Sequence, residues 1–207
     1  MLRIAAFCAA LILPATAALA AGPDAGAPAG VYRNDPSHTS LTWSLNHLGL
    51  SNYTARFVKV DTHLEWDPKK PEASVLTVDI DPLSVRTDYP WPEKENFDAK
   101  VGGDADFLAG KPIRFVSRTI RVTGDKTGTV EGELTFRGET RPATLDVTFN
   151  GSMAAHPVSK LATLGFSATG TIRRSEWGLN FLVPQIGDDV KLVIETELVP
   201  DTAAQAK

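Results

Sequence analysis

Cysteine is almost missing from this chain of 207 residues. The single example, Cys8, excludes a disulfide framework and a Cys-ligated zinc ribbon. A basic surplus is missing as well. Lys and Arg number 21 against 25 Asp and Glu, a net charge of −4. No nucleic-acid partner is expected from such a balance. There is no Gly-rich phosphate loop and no dinucleotide fingerprint. The nearest approach to a nucleophile elbow, Gly165-Phe166-Ser167-Ala168-Thr169, lacks the second glycine and falls in a strand-like run, so Ser167 is not expected to act as a nucleophile. His38, His47, His63 and His156 show no i, i+2 or i+4 spacing, so no local metal clip exists. Asp79/Asp81, Asp104/Asp106 and Asp188-Asp189 fall at turns or strand ends and read as solvated capping residues rather than calcium ligands. The lack of a catalytic signature shifts weight from an enzyme towards a binding protein with an apolar interior.

What is present is an ordinary 43% of hydrophobic residues with 22% charged, which excludes wholesale disorder and collagen-like repeats. The apolar residues are unevenly spread. Met1–Ala20 places Arg3 before an apolar run from Ile4 to Leu13, then Pro14 and the small-x-small triplet Ala18-Leu19-Ala20. That is the pattern of a secretory signal peptide cleaved near Ala20. The run is too short to span about 30 Å of hydrocarbon, so no stable membrane insertion is expected. The mature chain would contain no cysteine. Only Arg3 is lost among the charges, leaving 20 basic against 25 acidic residues, a net −5. Its expected location is the periplasm or the medium.

Residues 21–30, AGPDAGAPAG, read as a disordered leader, and 200–207 as a flexible tail. Between them, residues 31–199 read as one domain made of strands. Leu41, Trp43, Leu45 and His47 alternate with Thr42, Ser44 and Asn46. Period-2 patterns recur over Ser74–Asp81, around Leu134 and Phe136, and over Leu145–Phe149, Leu164–Ile172 and Val190–Ile194. The phase slips between Ile113/Phe115 and Ile120/Val122, which predicts a bulge near Arg118. Residues 67–71, 124–128 and 137–140 read as hairpin turns. The exception is 89–110, polar and Pro/Gly-bearing, where short helical turns are expected at 93–100 and 104–108. Roughly eight strands, each with one apolar face, predict an all-β antiparallel barrel or sandwich. A closed barrel would leave room for one elongated ligand, whereas a sandwich would fill its own interior.

Several segments, in order, resemble the YceI-like family of periplasmic lipid- and polyisoprenoid-binding proteins. They are Tyr32-x-x-Asp35-x-x-His38-Thr39-x-Leu41-x-Trp43, His47-Leu48-Gly49, residues 79–87, Asp106-Phe107-Leu108 with residues 111–117, the hairpin of residues 132–142, residues 172–178, and Gly187-Asp188-Asp189-Val190. The match covers about Val31–Leu198. It departs at residues 89–103, where the aromatic insertion Tyr89-Pro90-Trp91-Pro92 and Asn96–Val101 replace the family's usual Asp-x-His-Leu. The resemblance implies an eight-stranded, lipocalin-like barrel with a short helical segment, no catalysis and no cofactor. An apolar small molecule (an isoprenoid, a quinone tail or a fatty-acid derivative) would sit inside, and a homodimer is left open.

On that reading Trp43, Leu45, Phe57, Phe115, Phe136, Phe149 and Phe166 are expected to form the wall, with Ala168 and Gly170 opening space. His47, Arg86 or Arg173 would meet a polar headgroup. The competing reading of each apolar residue is simple core packing, and of each polar one a turn hydrogen bond or surface charge. An enzyme or accessory protein acting on a similar compound, or a structural β-domain with a filled core, are the alternative functions.

Overall fold

The computed structural model describes residues 26–202. The expected signal peptide lies outside them. Among the described residues there are ten strands, β1 (Gly30–His47), β2 (Ser51–Phe57), β3 (Val60–Trp66), β4 (Val75–Ile80), β5 (Val85–Arg86), β6 (Ile113–Val122), β7 (Thr127–Phe136), β8 (Glu139–Met153), β9 (Thr163–Arg173) and β10 (Asp189–Pro200), and one short α-helix, α1 (Phe97–Gly103). Eight of them close an antiparallel barrel in the order β1-β3-β4-β6-β7-β8-β9-β10 and back to β1. Closure removes the free edges that an open sheet of this size would present.

The long strand β1 decides how the barrel opens. Its first residues pair with β3 (Arg33 opposite His63), while its second half pairs with β2 (Leu41 opposite Phe57). The changeover is a bulge. Asn34 faces Leu198 of β10, but Thr39 already faces Thr196. Pro36, which has no N–H to donate, sits within it. Asp35 accepts from the Ser37 N–H at 2.8 Å and lies 2.8 Å from His38 Nδ1. Buried Asn34 repairs the gap on the other side: its amide donates to Val60 O and its carbonyl accepts from Thr62 N–H. β2 then flares outward, with only Arg56 and Phe57 carrying on to β5.

The bulge expected at Arg118 is present. Ser117 faces Gly132 and Thr119 faces Glu131, leaving Arg118 unpaired. Ser117 Oγ accepts from Leu76 N–H at 2.9 Å, tying β6 to β4 one residue beyond their ladder. Arg137 and Gly138 both have positive φ (51° and 85°) and close a two-residue hairpin between Phe136 and Glu139.

The sequence reading missed β2 and β3. Their alternation is diluted by Thr62 and Ala55 on the inward face. The helical expectation is corrected in position: a single helix spans Phe97–Gly103, and 104–108 forms turns. Asn96 caps α1 by accepting from Ala99 N–H. Gly102 lets the helix lie against the 3-10 turn at Pro82–Ser84, since a Cβ there would come within 2.9 Å of Pro82 O. Residues 26–30, expected in a disordered leader, are placed against the barrel: Ala27 is buried and its N–H donates to Ser152 Oγ. The expected tail begins too early, because β10 runs to Pro200 and Asp201 N–H donates to Val31 O.

Two apolar clusters fill the barrel unequally. One, at the closed end, packs Ala27, Tyr32, Leu64, Leu164 and Leu198 with the rings of Trp66, Phe149 and Phe166. Tyr32, Leu164 and Leu198 are at most 2% exposed, and the Tyr32 hydroxyl donates to Pro28 O, so this end is sealed. The other cluster, around Phe57, Val85, Phe136 and Trp177, surrounds a cavity at the opposite end.

Candidate functional site

The cavity has a volume of about 650 Å³. That is within the range of small-molecule sites, and its lining is overwhelmingly apolar. Strands, the helix and one loop build it. β1 contributes Leu41, Trp43, Leu45 and His47, every second residue of a strand whose other face is polar. Phe57 and Tyr53 come from β2, and Leu134 and Phe136 from β7. α1 contributes Phe97, Lys100 and Val101, with Phe107 following. The loop between β9 and β10 lays Leu179, Phe181, Leu182 and Ile186 over the mouth.

That loop is held from beneath by Arg174, which is 3% exposed. Its guanidinium donates to the carbonyls of Gly187 (2.8 Å), Leu179 (2.9 Å), Phe181 (3.0 Å) and Ile186 (2.8 Å). Burial draws its pKa below the usual value, and nearby Asp188 opposes this. An arginine so placed stays charged, and it is occupied by backbone rather than offered to a guest. Asp188 in turn accepts from the Ser175 N–H and hydroxyl. Burial pushes the Asp188 carboxyl up, but those two hydrogen bonds and Arg173 outweigh it, so its pKa lies below the ordinary value. Arg137 ties the roof together by donating to Trp177 O and Ala105 O, and also to Phe107 O. Loop 178–188 also joins the end of β1, where Leu48 N–H donates to Gln185 O and Gly187 N–H to Asn46 O.

Rings run in two files along the walls. On the strand side, Trp43 lies 6.1 Å from Tyr53, which lies 6.4 Å from His47. Burial raises the Tyr53 pKa. The Trp43 indole N–H is buried without a partner. On the lid side, Trp91, Tyr89, Phe97, Phe107 and Phe181 follow one another at 5.4–6.4 Å between neighbouring centroids. The aromatic insertion noted in the sequence is thus the outer end of a file that reaches the cavity. The charged lining groups other than Arg174 stand on α1 or just after it: Lys100 is half-buried, and Asp104 and Asp106 are exposed. Lys100 pairs with Glu95 at 2.6 Å.

The structure brings Trp43, Leu45, His47, Phe57 and Phe136 together on the cavity. It places the other expected wall residues elsewhere. Phe115 is buried over Gly132, where a Cβ would lie 2.5 Å from its Cζ. Phe149 and Phe166 stack with Trp66 at the sealed end, 5.3 Å apart. Ala168 faces inward below the cavity, level with Val147 and Ile194. The space beside Gly170 is taken by Leu145, 2.8 Å from where a Cβ would stand. Alternation identified the inward face correctly but carries no information on height along the barrel.

Both expected headgroup arginines are corrected. Arg86 leaves the cavity to donate to Val85 O and lie 3.8 Å from Asp98. Arg173 points outward, 64% exposed, 3.4 Å from Asp188. Its neighbour Arg174 is the interior one: it continues the inward phase of Ile172, and the 3-10 turn that begins there sets it beneath the loop. The loop residues were missed, although one signal existed: residues 178–187, GLNFLVPQIG, contain no Asp, Glu, Lys or Arg. An uncharged ten-residue connection is unusual for a solvated loop. Among the described residues no group of three or more His, Cys, Asp or Glu is placed to hold a metal ion. No helix among them is long and apolar enough to cross a membrane.

Comparison with known proteins is consistent with this geometry. A UPF0312 protein of Pseudomonas putida is 37% identical over 169 residues, covering 79% of this chain and 82% of its own length. A UPF0312 protein of Pseudomonas fluorescens is 33% identical over 164 residues, with the same coverage. Among solved structures, BcnA of Burkholderia cenocepacia superposes with a TM-score of 0.68 at 20% identity, covering 79% of this chain and 98% of that one. The YceI protein of Campylobacter jejuni gives 0.65 at 24%, covering 75% and 90%. A polyisoprenoid-binding domain from Saccharophagus degradans gives 0.54 at 12%, covering 84% and 99%. The model of the YceI-like domain matches residues 32–198, essentially the whole barrel, and the chain therefore belongs to the YceI-like family.

Proposed function

We propose that this protein binds a single amphiphile, its apolar chain in the cavity and its polar head at the mouth, and acts as a carrier or store rather than as an enzyme. One observation supports this above the others. The deep wall is apolar, while Lys100, Asp104, Asp106 and His47 gather where the cavity meets solvent. Each buried methylene contributes about 0.8 kcal/mol, so an apolar guest needs few polar contacts to be held. A guest entering tail-first keeps its head hydrated and leaves no charge to be buried. The isoprenoid bound by the Saccharophagus domain, named as a polyisoprenoid-binding domain, is in keeping with this chemistry. The signal-like Met1–Ala20 supports a carrier working in the periplasm or medium, where water-insoluble compounds need escort between membranes.

Native mass spectrometry of the protein purified from its own host tests the reading. A stoichiometric apolar adduct of several hundred daltons is expected, on a mature chain beginning at Ala21. Repeated recovery of empty protein, with no uptake of any isoprenoid or fatty-acid probe, would refute it.

A further inference from the structure

Two connections at the mouth lack charge. The turn between β1 and β2 and the loop between β9 and β10 lie within residues 46–55 and 178–187, and neither stretch contains Asp, Glu, Lys or Arg. Backbone bonds join them: Leu48 N–H donates to Gln185 O, and Gly187 N–H to Asn46 O. Together they expose four large apolar side chains, Leu48 at 51%, Leu50 at 85%, Phe181 at 42% and Leu182 at 49%. The connections at the opposite end of the barrel, 67–74, 123–126 and 154–162, all carry charge (Asp67 and Lys69, Asp125 and Lys126, Lys160). The mouth is itself asymmetric, because Lys100, Asp104 and Asp106 stand on the α1 side.

Exposed apolar side chains on two joined loops mark a contact surface. Their character fits a bilayer rather than a protein. A stable protein interface uses about 20–30 residues a side, whereas here four side chains project from two loops. No charge has to be stripped of water when these loops enter a headgroup layer. Phe181 and Leu182 also line the cavity, so the patch is continuous with the route that a guest takes.

We propose that the turn at 48–50 and the loop at 178–187 insert into the headgroup–acyl boundary of a bilayer, so that the cavity opens directly onto lipid and an amphiphile passes between the two without crossing water. The purpose of this contact rests on the binding function proposed above, whereas the contact itself is apolar and separately measurable. Acidic residues outnumber basic ones in the chain, so anionic lipids add no attraction and a zwitterionic surface suffices.

Flotation of the mature protein with phosphatidylcholine vesicles tests the contact. The protein is expected to float with the vesicles at low and high salt alike. Leu50→Asp should weaken partitioning by at least about ten-fold. Leu48→Asn, which suits the left-handed backbone there (φ 58°), should act in the same direction. Val158→Asp, 84% exposed on the β8–β9 connection at the other end, should leave partitioning unchanged. Neither Leu50 nor Val158 lines the cavity, so uptake of the neutral probe N-phenylnaphthylamine from water should be unaltered in both variants. Wild-type protein that stays in the aqueous fraction overturns the contact. So does flotation that Leu50→Asp leaves unchanged, an equal loss in Val158→Asp, or binding that requires phosphatidylglycerol and disappears in salt. A dimer in analytical ultracentrifugation that Leu50→Asp dissociates also overturns it, since a second copy would then cover the patch. Probe uptake without flotation refutes only the contact, and flotation without uptake refutes only the binding function.

Discussion

Arg174→Met is the perturbation that tests the architecture of the mouth most directly. Methionine keeps the length and the apolar stem but removes every donor. Four backbone carbonyls, those of Leu179, Phe181, Ile186 and Gly187, lose a charged partner together. At about 1 kcal/mol net for each bond the sum is about 4 kcal/mol, and rehydration of a loop that springs open returns part of it. A loss of about 3 kcal/mol is expected, which for a domain of this size corresponds to a melting temperature lower by about 6–12 °C. Urea unfolding measures the loss. Amide exchange should localise it, with the Ile186 and Gly187 N–H groups, bonded to Leu182 O and Asn46 O, losing protection before the barrel strands do. Arg173→Met is the control. That side chain is 64% exposed and its partners lie at 3.4 Å and 3.9 Å, so the change should stay within about 0.5 kcal/mol. If Arg174→Met costs less than 1 kcal/mol and leaves loop protection unchanged, the arginine does not hold the roof and the argument fails.

Three further outcomes are expected. Gly132→Ala sets a methyl against the Phe115 ring and the Val116 carbonyl, so it should cost about 1–3 kcal/mol in thermal unfolding, and an unchanged melting curve would contradict the close packing of Phe115 over Gly132. Phe149→Ala should destabilise by about 2–3 kcal/mol yet leave ligand affinity unaltered, whereas Trp43→Ala should weaken ligand binding at least ten-fold; equal effects on binding would mean that the cavity reaches the trio. At the β1 bulge, the hydrogen bond to Asp35, aided by Glu197, raises the His38 pKa above 6.5. The stabilisation is therefore present below 6.5 and is lost as pH rises through the folded-state value. The Asp35 pKa is lowered from 3.8 by His38 and Ser37, so its share is lost only as pH falls below that. His38→Gln should flatten the alkaline-side loss in stability measured between pH 6 and 8.5, and an identical profile would refute the pairing.

The Arg118 bulge was legible because a slipped phase in a period-2 pattern has one local explanation. The hairpin at 137–140 was legible because Gly next to a polar residue marks positive φ. The inward faces of β1, β7 and β9 followed from alternation, and an antiparallel barrel or sandwich from the number of strands; the choice of a barrel came from the resemblance to the YceI-like family. Phe149 and Phe166 were read as wall for the same reason that Phe57 and Phe136 were: all four point inward. Only the register of β8 against β9, and the seal beneath it, put the first pair at the bottom and the second beside the cavity. Arg173 and Arg174 are adjacent and chemically identical. Alternation turns Arg174 to the same side as Ile172, but what makes it a buried clamp is the loop that folds over it and offers it four carbonyls. The sequence by itself determined which residues turn inward, because that is a matter of local spacing. Which inward residues surround empty space was decided by the tertiary structure alone, because a void is set by what approaches from other strands: Leu145 at Gly170, Phe115 at Gly132, and at the mouth an uncharged loop pinned by one arginine.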